Sequence, residues 1–217
     1  MDKYAAIQYI MDKCIIAVVR ADAGGDSLVG VVEAVAQGGV HCIEVTMTTP
    51  GALKCIETAS QKLAGADVLL GVGTVLDAET CRMAILAGAE YVVTPTLSIP
   101  VIEMARRYGK PVIAGAFTPT EILTAWEQGA DLVKVFPCSI GGPDYIKAVK
   151  APLPQVLLVP TGGIELGNIA AFLKAGASAL AVGGNLVEKK RIAARDFKGL
   201  TANAKAFAEA VRVARTK

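Results

Sequence analysis

Short apolar runs rich in valine, isoleucine and leucine recur eight times along this chain, each followed by a longer stretch of helical periodicity. They are CIIAVVR (14–20), CIEVTM (42–47), DVLLGVGT (67–74), YVVTPT (91–96), PVIAGAF (111–117), LVKVFP (132–137), VLLVPTGG (156–163) and ALAVGGNL (179–186). Near-continuous apolarity marks strands covered on both faces, and strand-helix alternation is how parallel strands joined by crossover helices read in sequence. A composition of 53% hydrophobic residues with 22 glycines suits such an α/β chain. Two architectures share the pattern, an open doubly wound sheet and a closed (β/α)8 TIM barrel. Eight even repeats favour the barrel. The segment GVGT (71–74) resembles half of a nucleotide fingerprint, but it lacks the third glycine and the partner acid. A length of 217 residues is slightly short for one barrel and too short for two, so a single domain spanning 1–217 is expected.

Local punctuation agrees with this frame. Gln37-Gly38-Gly39, Ala87-Gly88-Ala89, Gln128-Gly129-Ala130 and Ala175-Gly176-Ala177 read as helix ends just before strands, where glycine fills a left-handed C-cap at least cost. Thr118-Pro119-Thr120-Glu121 has a capping threonine, a proline in the first turn and a glutamate three residues on, so a helix starts there. MDKYAAIQYIMDK (1–13) predicts an extra N-terminal helix closing the barrel floor, and the last helix is expected from about Thr201 to Arg215.

Several function classes are disfavoured early. A net charge of +2 with mixed signs gives no electrostatic footprint for nucleic acid or an anionic membrane, and Lys189-Lys190-Arg191 reads as a solvated face, the lesser alternative being contact with a partner or substrate. No apolar run approaches the ~20 residues of a membrane span, and the N-terminus has no signal-peptide core, so a cytoplasmic protein is expected. Cys14, Cys42, Cys55, Cys81 and Cys138 form no CxxC pair and read as reduced, mostly buried thiols. The lone histidine, His41, cannot assemble a His-rich metal site or a Ser-His-Asp relay, and its place before the second run puts it on the face away from the chemistry. No metal is expected.

In a parallel barrel the reactive groups lie at the carboxyl ends of strands, which singles out Arg20, Glu44, Thr74, Thr94, Lys134 and Thr161. Alternation puts Leu132, Lys134 and Phe136 on one side of the sixth run and Val133 and Val135 on the other. Cys42, Glu44 and Thr46 likewise oppose Ile43 and Val45, so Lys134 and Glu44 should point into the barrel. A lysine there has its charged form disfavoured, which supplies neutral amine for attack on a ketone, and an inward carboxylate can carry the protons of the carbinolamine that forms. A buried Lys134-Glu44 ion pair that only fills the barrel is the competing reading. Arg20 could fork onto a carboxylate or pair at the rim. PTGGI (160–164) and VGGN (182–185) follow the last two runs, where barrels present backbone N–H groups to phosphate, although both could be plain tight turns. Cys138 reads as packing.

With those residues in place, the chain resembles the bacterial 2-keto-3-deoxy-6-phosphogluconate (KDPG) and 4-hydroxy-2-oxoglutarate (KHG) aldolase family. The resemblance runs from VVR (18–20) through GGVHCIEVTMTTP, GVGTV, VTPT, GAFTPTEIL, DLVKVFP, GGPDYIKAVKAPLPQV and PTGGI to VGGNL. It implies Lys134 as the Schiff-base lysine and Glu44 as the general acid/base. It also implies that Thr74, Pro95, Phe136 and Thr161 line the pocket, and that the barrel is a trimer acting on a small 2-oxo acid without a cofactor. With these stand the glycine loops, as Gly162, Gly163, Gly183, Gly184 and Asn185. Two positions depart from the family pattern. Thr48 stands where many members have an arginine for the pyruvate carboxylate, a task left to Arg20, and Asn185 replaces a serine that contacts the substrate phosphate. The implied activity is reversible cleavage of a 2-keto-3-deoxy sugar acid or 4-hydroxy-2-oxoglutarate to pyruvate and an aldehyde. The alternatives are a non-catalytic barrel binding a phosphorylated metabolite or protein partner, and a phosphosugar isomerase or synthase.

Overall fold

In a computed structural model, which describes residues 1–22 and 26–216, strands and helices alternate along the chain. The strands are β1 Ile15–Val19, β2 Cys42–Thr46, β3 Leu69–Gly73, β4 Tyr91–Val93, β5 Val112–Ala116, β6 Leu132–Val135, β7 Leu158–Pro160 and β8 Leu180–Val182. The helices are α1 Lys3–Lys13, α2 Asp26–Gln37, α3 Ala52–Lys62, α4 Ala78–Leu86, α5 Ile99–Arg107, α6 Pro119–Glu127, α7 Gly142–Lys150, α8 Ile169–Lys174, α9 Lys189–Ala193 and α10 Phe197–Arg215. All strand pairs are parallel, in the order β7-β6-β5-β4-β3-β2-β1-β8. The two ends of that order meet through a parallel bridge between Thr161 and Ala181 and through the Ser178 N–H, which donates to the Leu158 carbonyl at 2.8 Å. The sheet is therefore a (β/α)8 barrel. None of the described helices is long and apolar enough to cross a membrane.

The strands are shorter than their apolar runs because pairing stops where proline, glycine or a rim loop begins: β8 ends before Gly183-Gly184 and β4 before Thr94-Pro95. The last helix begins at Phe197, earlier than the expected Thr201, because the Asp196 side chain accepts from the Gly199 N–H and caps it. Thr118 and Glu121 form the reciprocal capping box expected of α6. Left-handed glycines follow α2, α4, α6 and α8 at Gly39, Gly88, Gly129 and Gly176.

Two apolar layers separate cleanly. Ile15, Ala17, Val19, Ile43, Val45, Val133 and Val135 pack outward against the helices. Ile16, Val18, Cys42, Leu69, Tyr91, Ile113, Leu132 and Val159 fill the barrel, and Ala6 and Ile10 of α1 join this inner set as the floor. Alternation along each strand therefore assigns side chains to the two layers as expected. Inward positions in register run Val18, Glu44, Gly71, Tyr91 across β1 to β4, and Gly115, Lys134, Val159 across β5 to β7. His41 lies at the opposite end from the rim, with Nδ1 2.6 Å from the Asp67 carbonyl.

α10 seats on α2 at Gly38, where a Cβ would meet the Ala204 Cβ at 2.5 Å and the Thr201 carbonyl at 2.6 Å. Gly38→Ala is expected to lower the unfolding free energy by about 1–3 kcal/mol through overpacking. Gly167→Ala, with no neighbour within 4 Å, should change it by less than about 0.5 kcal/mol. Urea denaturation of both variants checks the contrast.

Candidate active site

Lys134 and Glu44 sit on β6 and β2, four strands apart in an eight-strand ring, so they face one another across the barrel. Lys134 is 5% exposed and Glu44 1%. The two make no salt bridge, and neither Glu44 carboxylate oxygen has a hydrogen-bond partner in the protein. The buried ion pair that would merely fill the barrel is therefore not formed. Burial pushes the Lys134 ammonium below the ordinary lysine range; the Glu44 carboxylate opposes that shift and the Arg20 guanidinium adds to it. Burial likewise raises the Glu44 carboxyl, against the pull of Lys134 and Arg20. Both groups are shifted toward their neutral forms, the direction that a nucleophilic amine and a proton-holding acid would require. The Lys134 Nζ also lies 5.2 Å from the centroid of the Phe136 ring.

Three inward glycines make room for this arrangement. A Cβ on Gly73 would come within 2.3 Å of Glu44 Oε1, and one on Gly71 would strike the Tyr91 ring at 2.4 Å. A Cβ on Gly115, the register partner of Lys134, would hit the Pro95 carbonyl carbon at 2.3 Å. The glycine segment that resembled half a nucleotide loop is thus a notch in the barrel wall for a carboxylate and a phenol ring. Gly115 in turn lets the loop after β4 fold over β5 beside the lysine. Thr94, a candidate by position, has its hydroxyl committed elsewhere: it donates to the Thr96 carbonyl at 2.7 Å and accepts from the Gly115 N–H at 2.8 Å, fixing Pro95 over the rim.

A cavity of about 440 Å³ opens above Lys134. Arg20, Thr74, Pro95, Lys134, Phe136 and Thr161 line one part of it, and Gly162, Gly163, Gly183, Gly184 and Asn185 another. Every residue singled out as substrate-binding in the sequence lines this one cavity, and Glu44 lies buried in the barrel. Thr74 has φ +59°, a left-handed conformation rare for a β-branched residue and of the kind that clusters at functional rims. Thr161 borders the cavity and also closes the barrel through its bridge to Ala181. The backbone N–H groups of Gly163, Gly184 and Asn185 donate to no acceptor among the described residues. They leave a cradle of free donors suited to an anion.

The two departing positions take structural roles. Thr48 hydrogen-bonds Thr46 across 3.0 Å between hydroxyls and does not line the cavity, which leaves Arg20 as the cation on that side. The Asn185 amide donates to the Ile164 carbonyl at 2.8 Å, so its side chain ties the two glycine loops together instead of reaching outward. Lys189, read from sequence as part of a solvated face, borders the cavity mouth and donates to Asp22 at 2.8 Å. Periodicity gave no sign of this, because α9 is one short turn beyond an irregular loop. Cys138 is buried, its thiol pushed up to about 11 by burial, which fits packing.

Residues 7–203 match the family model described as KDPG and KHG aldolase. The chain is 40% identical over 179 residues to the 2-dehydro-3-deoxy-phosphogluconate aldolase of Treponema pallidum, covering 82% of this chain and 84% of the relative. It is 35% identical over 199 residues to the 2-dehydro-3-deoxy-6-phosphogalactonate aldolase of Escherichia coli, covering 91% and 96%. Among solved structures, it resembles a KDPG aldolase from Legionella pneumophila with pyruvate captured as a covalent carbinolamine intermediate. That likeness has a TM-score of 0.82 and 25% identity over 92% of this chain and 96% of the other.

Carbamylation of Lys134 by cyanate, followed by peptide mass spectrometry across pH, reports its titration. The midpoint is expected below that of an ordinary lysine. Glu44→Gln removes the carboxylate that favours the ammonium and should move the midpoint further down; Arg20→Gln removes a repelling charge and should move it up. A wild-type midpoint at the ordinary value would contradict the desolvation of the amine.

Proposed function

The chain belongs to the KDPG and KHG aldolase family, and on that premise we propose that it is a class I aldolase whose Lys134 forms the Schiff base and whose Glu44 moves the protons. The substrate is a 2-keto-3-deoxy sugar acid of the phosphogluconate type or 4-hydroxy-2-oxoglutarate. The products are pyruvate and an aldehyde, glyceraldehyde 3-phosphate or glyoxylate. The observation that carries this reading is a buried Lys134 lining a cavity walled by two glycine loops, with Glu44 buried on the facing side of the barrel.

The neutral Lys134 amine adds to the C2 ketone to give a carbinolamine, which loses water to become an iminium. A base removes the proton of the C4 hydroxyl, the C3–C4 bond breaks, and its electron pair enters the iminium to leave an enamine as the aldehyde departs. Protonation at C3 and addition of water then release pyruvate and the free amine. Glu44, raised by burial, is suited to take and return these protons. Arg20 would hold the substrate carboxylate, with Thr74, Pro95, Phe136 and Thr161 shaping the pyruvyl end. The free N–H groups of the glycine loops would receive the distal end.

We also read the chain as a single barrel domain acting as a homotrimer in the cytoplasm. Leu76, Met83 and Leu86, on α4 and the turn leading into it, are 63%, 50% and 66% exposed, an apolar face that suits burial between copies. The five cysteines are buried and free, as suits a reducing compartment.

Borohydride reduction in the presence of pyruvate should leave an adduct that peptide mass spectrometry maps to Lys134, and Lys134→Ala should abolish it. Glu44→Gln is expected to lower kcat by about 10²–10⁴-fold, the usual contribution of a positioned general acid/base. Absence of the adduct in the unaltered protein would favour a non-catalytic or isomerase barrel. Light scattering should give three times the mass of one chain, falling toward that of a single chain in Leu86→Glu.

A further inference from the structure

A phosphorylated substrate of the proposed reaction has two anionic ends, and the cavity offers few cations to meet both. Of its lining residues only Arg20, Lys134 and Lys189 carry positive charge. Lys134 must be neutral to act, and Arg20 stands on the β1 side as the candidate for the carboxylate. The cradle of free N–H groups at Gly163, Gly184 and Asn185 can hydrogen-bond a phosphate but brings no full charge. The Asn185 amide, engaged with the Ile164 carbonyl, adds nothing at this point. Lys189 is the remaining cation, four residues beyond Asn185 and lining the same cavity.

We propose that Lys189 is the specificity-determining cation of this site, swinging from Asp22 onto a phosphate monoester seated in the glycine cradle, so that the chain prefers phosphorylated 2-keto-3-deoxy acids. This rests on the aldolase reading and narrows its substrate class. The Lys189 and Asp22 side chains are 55% and 79% exposed, and an ion pair that open to water holds weakly, so the ammonium leaves its partner at little cost. A phosphate dianion is a stronger partner than a single carboxylate, with twice the charge and three acceptor oxygens. Asp22 acts as a resting seat that keeps the lysine at the cavity mouth between turnovers. The replacement of the family serine by Asn185 then has a rationale: the amide braces the loop, and a lysine on the following turn contacts the anion.

The test compares kcat/KM for KDPG with that for the same acid lacking the phosphate, in the full-length protein and in Lys189→Met, Lys189→Arg and Asp22→Asn. Lys189→Met is expected to reduce the preference for the phosphorylated acid by about tenfold or more, chiefly through KM, the size expected on losing a charge-assisted hydrogen bond. Lys189→Arg should retain most of the preference, and Asp22→Asn should increase it by freeing the ammonium. An unchanged preference ratio in Lys189→Met, with pyruvate still trapped on Lys134, would overturn the assignment while leaving the aldolase intact. Cleavage of neither acid with trapping intact would overturn it too. Loss of trapping in the unaltered protein would instead bring down the aldolase reading beneath it.

Discussion

An ammonium and a carboxylate held apart inside an apolar barrel set the terms for everything else in this molecule. Each would be strongly solvated in water, and their placement on opposite walls denies them the contact that would neutralise the cost. The walls must therefore be rigid enough to keep the two from collapsing together. The separation of the two layers, with branched side chains outward against the helices and a filled interior resting on Ala6 and Ile10, supplies that rigidity. Desolvation of the pair shifts the amine toward its neutral form and the acid toward its protonated one, the directions that a nucleophile and a proton carrier need.

Much of this was legible in the sequence because it depends on local chemistry. Eight apolar runs, glycine stops and a capping box are short-range signals, and alternation along CIEVTM and LVKVFP put Glu44 and Lys134 on inward faces without any knowledge of the neighbouring strands. Even the cavity wall could be anticipated, since strand ends converge at one rim in a barrel and Arg20, Thr74, Thr161 and the glycine loops all lie at strand ends.

What stayed hidden depends on contacts between distant segments. Nothing local says that Gly73 clears space for a carboxylate from β2, or that Gly115 clears space for the Pro95 loop, because the atoms that would collide lie 29 and 20 positions away. Thr94 looked like a site residue for the right reason, being polar and late in its strand, yet its hydroxyl is fully engaged by backbone. Asn185 kept a donor on paper, and only the fold reveals the Ile164 carbonyl that captures it. Lys189 erred in the other direction, since a basic cluster in a short turn reads as surface until its loop is seen to bend over the cavity.

The ring is not laced evenly. Between β7 and β8 it closes through the Thr161–Ala181 bridge and the Ser178 N–H, while other neighbours share longer ladders. The glycine loops rise from that same seam, joined above it by the Asn185 side chain. An anion lodged between the loops would accept from both sides and so act as a further rung of the barrel, one that arrives with each substrate and leaves with each product. In such a design the weakest join in the scaffold would also be its most adjustable one, and binding would tighten the wall that holds Lys134 and Glu44 in place.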